Sequence, residues 1–247
     1  MAGAADQEPP GLLLVHSPLV GPLTWRRTGA ALAAAGRAAV LPFLTGVLDG
    51  PGPYHERLAE RVAGAAARAR GPLVLVVHSG AGALVPAIVA ATPGLAGAIF
   101  ADAGLPAPGA AWLESAPAEL RAHLLGLAEG GRLPPWHRWF PPEALAEILP
   151  DPGLRAAFMA ELGPLPLAWF AEPAPEAAGW PAAPPLPCAY LLLSAAYEGD
   201  AAAAAAAGWP VERVTGAGGQ AAGHLGMLTA ADGLAARLAA LADRLGG

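Results

Sequence analysis

The chain has no lysine, no asparagine and a single cysteine, Cys188. Its 14 basic residues are all arginines, set against 20 acidic ones for a net charge of -6, so no basic face offers the counterion release that drives nucleic-acid binding. Without lysine there is no G-K-[ST] phosphate loop. The run "GAGG" at 216–219 lacks the strand-to-helix placement of a dinucleotide loop and reads as a flexible loop. One cysteine can form neither an internal disulfide nor a cysteine-based zinc cluster. Among apolar neighbours Cys188 reads as a buried strand residue, and the chain as a protein of a reducing compartment, the cytoplasm. No H-E-x-x-H and no carboxylate cluster of metal-site spacing occurs, so no metal and no cofactor is expected. Long apolar runs are missing as well. The composition is 55% hydrophobic, but 32 glycines and 28 prolines interrupt each apolar run short of a spanning length, which argues against a membrane protein. The opening "MAGAADQEPP" has acids and prolines where a secretory leader needs a basic start and an apolar stretch.

What is present is a rhythm. Short apolar runs at 11–16, 38–42, 72–78, 95–102, 188–194 and 210–214 read as strands. Helical patterns fall between them: Trp25–Ala35, capped by Thr24 and ended by Gly36; Tyr54–Arg70; 81–91; 199–207; and Ala230–Leu245. Strands alternating with helices at this spacing predict an α/β domain with a mostly parallel sheet and helices on both faces. The alternation stops at 105–185, where proline-broken helical patterns without a convincing strand predict a helical cap inserted into a core of 1–104 and 186–247. The insertion holds five of the seven tryptophans (Trp112, Trp136, Trp139, Trp169, Trp180), which can pack it or line an apolar pocket. Trp136 and Trp139 are the candidates for substrate contact.

Ligands of an open parallel sheet sit beyond the carboxyl ends of its strands, so the residues just after each strand are the candidates for chemistry. They are His16 and Ser17, His78 and Ser79, Asp102, Glu198 and Asp200, and, in the last loop, His224. Serine is a poor nucleophile until an imidazole takes its proton, and that imidazole needs an acceptor on its other nitrogen. A strand that turns at once into a helix also demands small neighbours, which Gly80, Ala81, Gly82 and Ala83 provide.

On these residues the chain resembles the α/β-hydrolase superfamily. "VHSGA" at 77–81 is similar to its G-x-S-x-G elbow, with Val77 and Ala81 in the glycine places; "LLLVHSPLVGPLTW" resembles its first-strand loop, and "GHLGMLT" its histidine loop. The resemblance implies Ser79 as nucleophile, His224 as base, and an acid that is either Asp102 or one of Glu198 and Asp200, with Asp102 preferred. It implies Gly80 N–H as one oxyanion donor. Pro18, in the place of the usual second donor, has no N–H, which leaves Ser17, Leu19 or a side chain. Val77 implies a slightly opened elbow or a different use of the site, and His16 and His78 read as partners of backbone carbonyls. The leading expectation is a serine hydrolase acting on a small to medium apolar ester, thioester or lactone. The alternatives are a lyase, isomerase or cyclase of the same fold, in specialised metabolism, and a ligand-binding member without turnover. The partner is a small-molecule substrate; oligomeric state has no signature here.

Overall fold

The computed structural model describes residues 8–215 and 222–246. The first seven residues and the "GAGG" run lie outside the described residues. Six strands form one parallel sheet: β1 (Gly11–Val15), β2 (Ala39–Val40), β3 (Leu73–Ser79), β4 (Leu95–Ala103), β7 (Cys188–Leu192) and β8 (Val211–Arg213). Their order is β2-β1-β3-β4-β7-β8. Every residue of β1 and β3 is buried, as continuous apolar runs covered on both faces must be. Alternate side chains feed two cores. Leu13, Val15, Leu75 and Val77 pack with Phe100 and Tyr190 under α2 (Tyr54–Ala66), α3 (Val85–Ala91) and α9 (Glu198–Ala206). Leu12, Leu14, Val74 and Val76 pack with Trp25 and Leu238 under α1 (Leu23–Ala34) and α11 (Ala231–Gly246). Each fully buried side chain of this size contributes about 1.5–3 kcal/mol. Cys188 is a buried strand residue, its thiol pushed up to about 12 by burial.

Between β4 and β7 the chain leaves the sheet through the short helices α4 (Trp112–Ser115), α5 (Ala118–Leu127), α6 (Pro142–Ile148), α7 (Pro152–Met159) and α8 (Leu167–Ala171). Here the structure corrects the strandless reading. β5 (Arg132–Leu133) pairs antiparallel with β6 (Leu165–Pro166), and strands of two residues carry no period to detect.

A second correction concerns how helices start. Thr24 lies inside α1 and its hydroxyl donates to Gly21 O, so it caps nothing. The residues preceding α1 and α2 are Pro22 and Pro53, which have no capping oxygen. Two glutamates of the insertion act instead: Glu161 accepts from Leu23 N at 2.7 Å, and Glu172 accepts from Tyr54 N and His55 N, both at 2.8 Å. A carboxylate at a helix N-terminus satisfies orphan donors and opposes the dipole. The insertion is thereby fastened to the core at two helix ends. No helix among the described residues is long and apolar enough to cross a membrane.

Connections diverge at β1 and β3, one leading to β2 on one side and the other to β4 on the opposite side. The crevice beyond their carboxyl ends is where such sheets bind ligands.

Candidate active site

β3 ends at Ser79 with φ 55° and ψ -128°, and Asp102 near the end of β4 has φ 43°. Among the described residues these are the two non-glycine positions with positive φ. Such a conformation costs on the order of 1–3 kcal/mol and persists only where the surroundings impose it. A 3₁₀ turn, Gly80–Leu84, separates Ser79 from α3, so the helix starts later than the sequence pattern suggests. Gly104 N donates to Ser79 O at 3.3 Å, and a Cβ on Gly82 would stand 1.9 Å from Gly104 O. Gly82 therefore carries the close approach that the elbow needs. Val77 sits fully buried within the strand, paired with Val15 and Phe100, and the break in register falls beyond it, between His78 and Ser79. A melting comparison isolates the strain. Ser79→Gly and Ser79→Ala both delete the hydroxyl, but only glycine relaxes the backbone, so the glycine variant is expected to melt about 2–4 °C above the alanine variant. Equal melting temperatures would show an unstrained elbow.

His224 follows Gly223 in the loop before a short helix, α10 (Gly226–Thr229). Its Nδ1 donates to Asp102 Oδ2 at 3.2 Å, which leaves Nε2 as the free acceptor nitrogen. Asp102 is fully buried and well supplied with donors: Leu193 N at 2.6 Å and Ser194 N at 3.1 Å on Oδ1, and Ser194 Oγ at 2.5 Å on Oδ2. The other two candidate acids are engaged elsewhere. Glu198 pairs with Arg213 on the surface, which holds its carboxyl below the usual range. Asp200 accepts from Leu105 N at 3.0 Å, its carboxyl raised chiefly by burial. The spacing of acids in "AAYEGD" does not reveal which way each side chain turns.

Two further histidines brace this edge. His16 Nδ1 donates to Ser17 O at 2.8 Å and its Nε2 accepts from Leu44 N at 3.2 Å, an arrangement that suits neutral imidazole; burial lowers its pKa to about 4. His78 Nε2 donates to His224 O at 3.0 Å, and desolvation at full burial holds its pKa well below the usual histidine value. The His78 ring also meets the His224 ring at 4.5 Å between centroids.

Ser79, Gly80 and His224 share the wall of one cavity of about 620 Å³, the size class of small-molecule sites. Of the insertion's tryptophans, Trp112, Trp136, Trp139 and Trp169 line it, and Trp180 packs on Phe100 instead. Ser17 and Leu19 are bonded to each other, Leu19 N donating to Ser17 Oγ at 3.2 Å. Tyr197 was not singled out by the sequence. Its hydroxyl is 3.2 Å from Ser79 Oγ and its ring lies flat on His224, 5.0 Å away and tilted 8°. Among the described residues this is the side-chain hydrogen bond of Ser79; none joins Ser79 Oγ to His224 directly. Nucleophile and base often close up only around substrate. The available signal for Tyr197 was scarcity: it is one of three tyrosines, and it follows a strand at the ligand-binding edge.

No family profile matches the sequence, and no curated protein matches it. Solved structures do. An extracellular α/β-hydrolase from a Paenibacillus species, described as sharing structural and functional homology with tobacco salicylic acid binding protein 2, is 17% identical. It superimposes with a TM-score of 0.69 over 93% of this chain and 98% of its own. A pyrethroid hydrolase from Sphingobium faniae is 24% identical, with a TM-score of 0.62 over 95% of this chain and 97% of its own. Tomato methylketone synthase I, solved with 2-tridecanone, is 16% identical, with a TM-score of 0.66 over 96% and 99%. The parallel sheet with its helical insertion agrees with these likenesses: the chain has the α/β-hydrolase fold, with a helical cap inserted between β4 and β7.

Proposed function

We propose that the protein is a serine hydrolase cleaving a small to medium apolar ester, thioester or lactone. One observation carries this reading: a serine in a strained elbow shares an aromatic cavity with a histidine whose Nδ1 is already bonded to a buried carboxylate. Substrate lies against the cap's tryptophans with its carbonyl at Ser79. The Oγ–C bond forms while the serine proton moves to His224 Nε2 and the carbonyl π pair moves onto oxygen. Asp102 stabilises the imidazolium. Collapse expels the alcohol or thiol, which takes the proton from His224, and a water activated by His224 then releases the acid from Ser79. The pyrethroid hydrolase among the similar structures supports an apolar ester as substrate class.

A fluorophosphonate probe tests the nucleophile. Labelling of the wild type and none of Ser79→Ala is expected; label on both, or on neither, removes the hydrolase reading. A non-hydrolytic enzyme is the second reading, favoured by Pro18 in the donor loop and by the likeness to methylketone synthase I. Turnover that survives Ser79→Ala but not His224→Ala would select it.

A further inference from the structure

Acyl transfer needs two or more donors where the carbonyl oxygen gains negative charge. Gly80 N–H, at the start of the 3₁₀ turn and on the cavity wall, is one. The loop after β1 has little to add. Pro18 has no N–H, Leu19 N–H is bonded to Ser17 Oγ at 3.2 Å, and Val20 N–H is bonded to Ser17 O at 3.1 Å. Ser17 itself is fully buried against Gly80, off the cavity wall.

A phenol stands within hydrogen-bond reach of the nucleophile. The segment after β7 holds Asp102 through Leu193 N, Ser194 N and Ser194 Oγ, then winds as a 3₁₀ turn, Ala195–Tyr197, that delivers the Tyr197 hydroxyl to 3.2 Å from Ser79 Oγ. Because the carboxylate arrives from β4, this segment is free to carry another group. The flat stack on His224 fixes the ring, and burial pushes the phenol up to about 12, so it remains a neutral donor across the working pH range.

We propose that the Tyr197 O–H is the second oxyanion donor of the reaction at Ser79, an inference that rests on the hydrolase reading. In the free protein the phenol, a better donor than an aliphatic alcohol, rests on Ser79 Oγ. Once the Oγ–C bond has formed and the serine proton has passed to His224 Nε2, Oγ is an ether-type oxygen and a poor acceptor. The carbonyl oxygen on the same carbon has become an alkoxide, and the O–H swings to it. No proton leaves Tyr197 and nothing is oxidised or reduced. A hydrogen bond to an ionised oxygen is about twice as strong as a neutral one, so the gain is realised in the transition state.

Tyr197→Phe keeps the ring and its stack and removes the donor alone. With p-nitrophenyl butyrate, kcat is expected to fall about 10²-fold, the typical loss of one oxyanion donor, with KM and the acidic limb of the pH–rate profile unchanged. A trifluoromethyl ketone, whose Ser79 adduct carries the oxyanion, should inhibit about 10²-fold less tightly. A tyrosine that only packs on His224 would leave both values within about threefold of wild type, or would shift the acidic limb, and either result overturns the proposal. If Tyr197→Phe fails to fold, 3-fluorotyrosine in place of Tyr197 keeps the ring and its stack and makes the O–H a stronger donor; the ketone is expected to bind about threefold more tightly, and unchanged or weaker binding overturns the proposal. When the wild type neither hydrolyses the ester nor takes a fluorophosphonate, the hydrolase reading and the Tyr197 inference fall together. When it does both and the variant matches it, only the Tyr197 inference falls.

Discussion

Asp102→Asn is expected to lower kcat by about four orders of magnitude, the loss that a wrong histidine tautomer brings to serine hydrolases, while leaving KM and the fold nearly intact. The asparagine oxygen can keep accepting from Leu193 N and Ser194 N, and the Ser194 hydroxyl can reverse to accept from the new amide, so burial is not punished by an unpaired group. The amide nitrogen, however, replaces the oxygen that faces His224 Nδ1. It donates to Nδ1, which moves the imidazole proton to Nε2, and a protonated Nε2 cannot accept from Ser79. The matched control is Asp200→Asn, because Asp200 lines the same cavity but bonds to Leu105 N rather than to His224. Steady-state kinetics on both variants decide the matter. A loss with Asp200→Asn that equals the loss with Asp102→Asn would mean that the acid has been misassigned.

Acidification should unfold the protein through its buried neutral histidines. In the unfolded chain His16 takes a proton near pH 6.5, but in the native state only near 4. Between those values the unfolded state binds more protons, so stability is complete above about pH 6.5 and is lost as pH falls toward 4. For His16 alone this amounts to about 3 kcal/mol by pH 4.5, or a drop of roughly 6–12 °C in melting temperature for a chain of this length. His78 acts in the same direction, because desolvation also lowers its pKa. Asp200, its carboxyl raised chiefly by burial, acts the other way. His16→Gln can keep both hydrogen bonds without a titrating ring, so its melting temperature should fall less steeply between pH 7.5 and 4.5. Parallel curves for variant and wild type would place the acid sensitivity elsewhere.

The sheet was legible because strand formation here is a local affair. "GLLLV" and "LVLVV" are free of polar side chains throughout, which suits strands covered on both faces, and their spacing leaves room only for parallel crossovers. The positions of Ser79, Asp102 and His224 at strand ends or in the last loop followed from the same pattern. Partners far apart in the chain were not legible. Glu161 and Glu172 cap α1 and α2 from 138 and 118 residues away, and no local signal at Pro22 or Pro53 points to them.

By itself, then, the sequence determined which segments become the strands of the main sheet, that these run parallel, and that a serine and a histidine reach the same edge, since short-range periodicity and connection length suffice for that. Only the tertiary structure decided that Asp102 rather than Glu198 or Asp200 meets His224, and that Tyr197 meets Ser79. Those choices depend on the direction of individual side chains, and packing sets that direction through strained backbone at Ser79 and Asp102 and through a turn after β7 whose geometry no periodicity encodes.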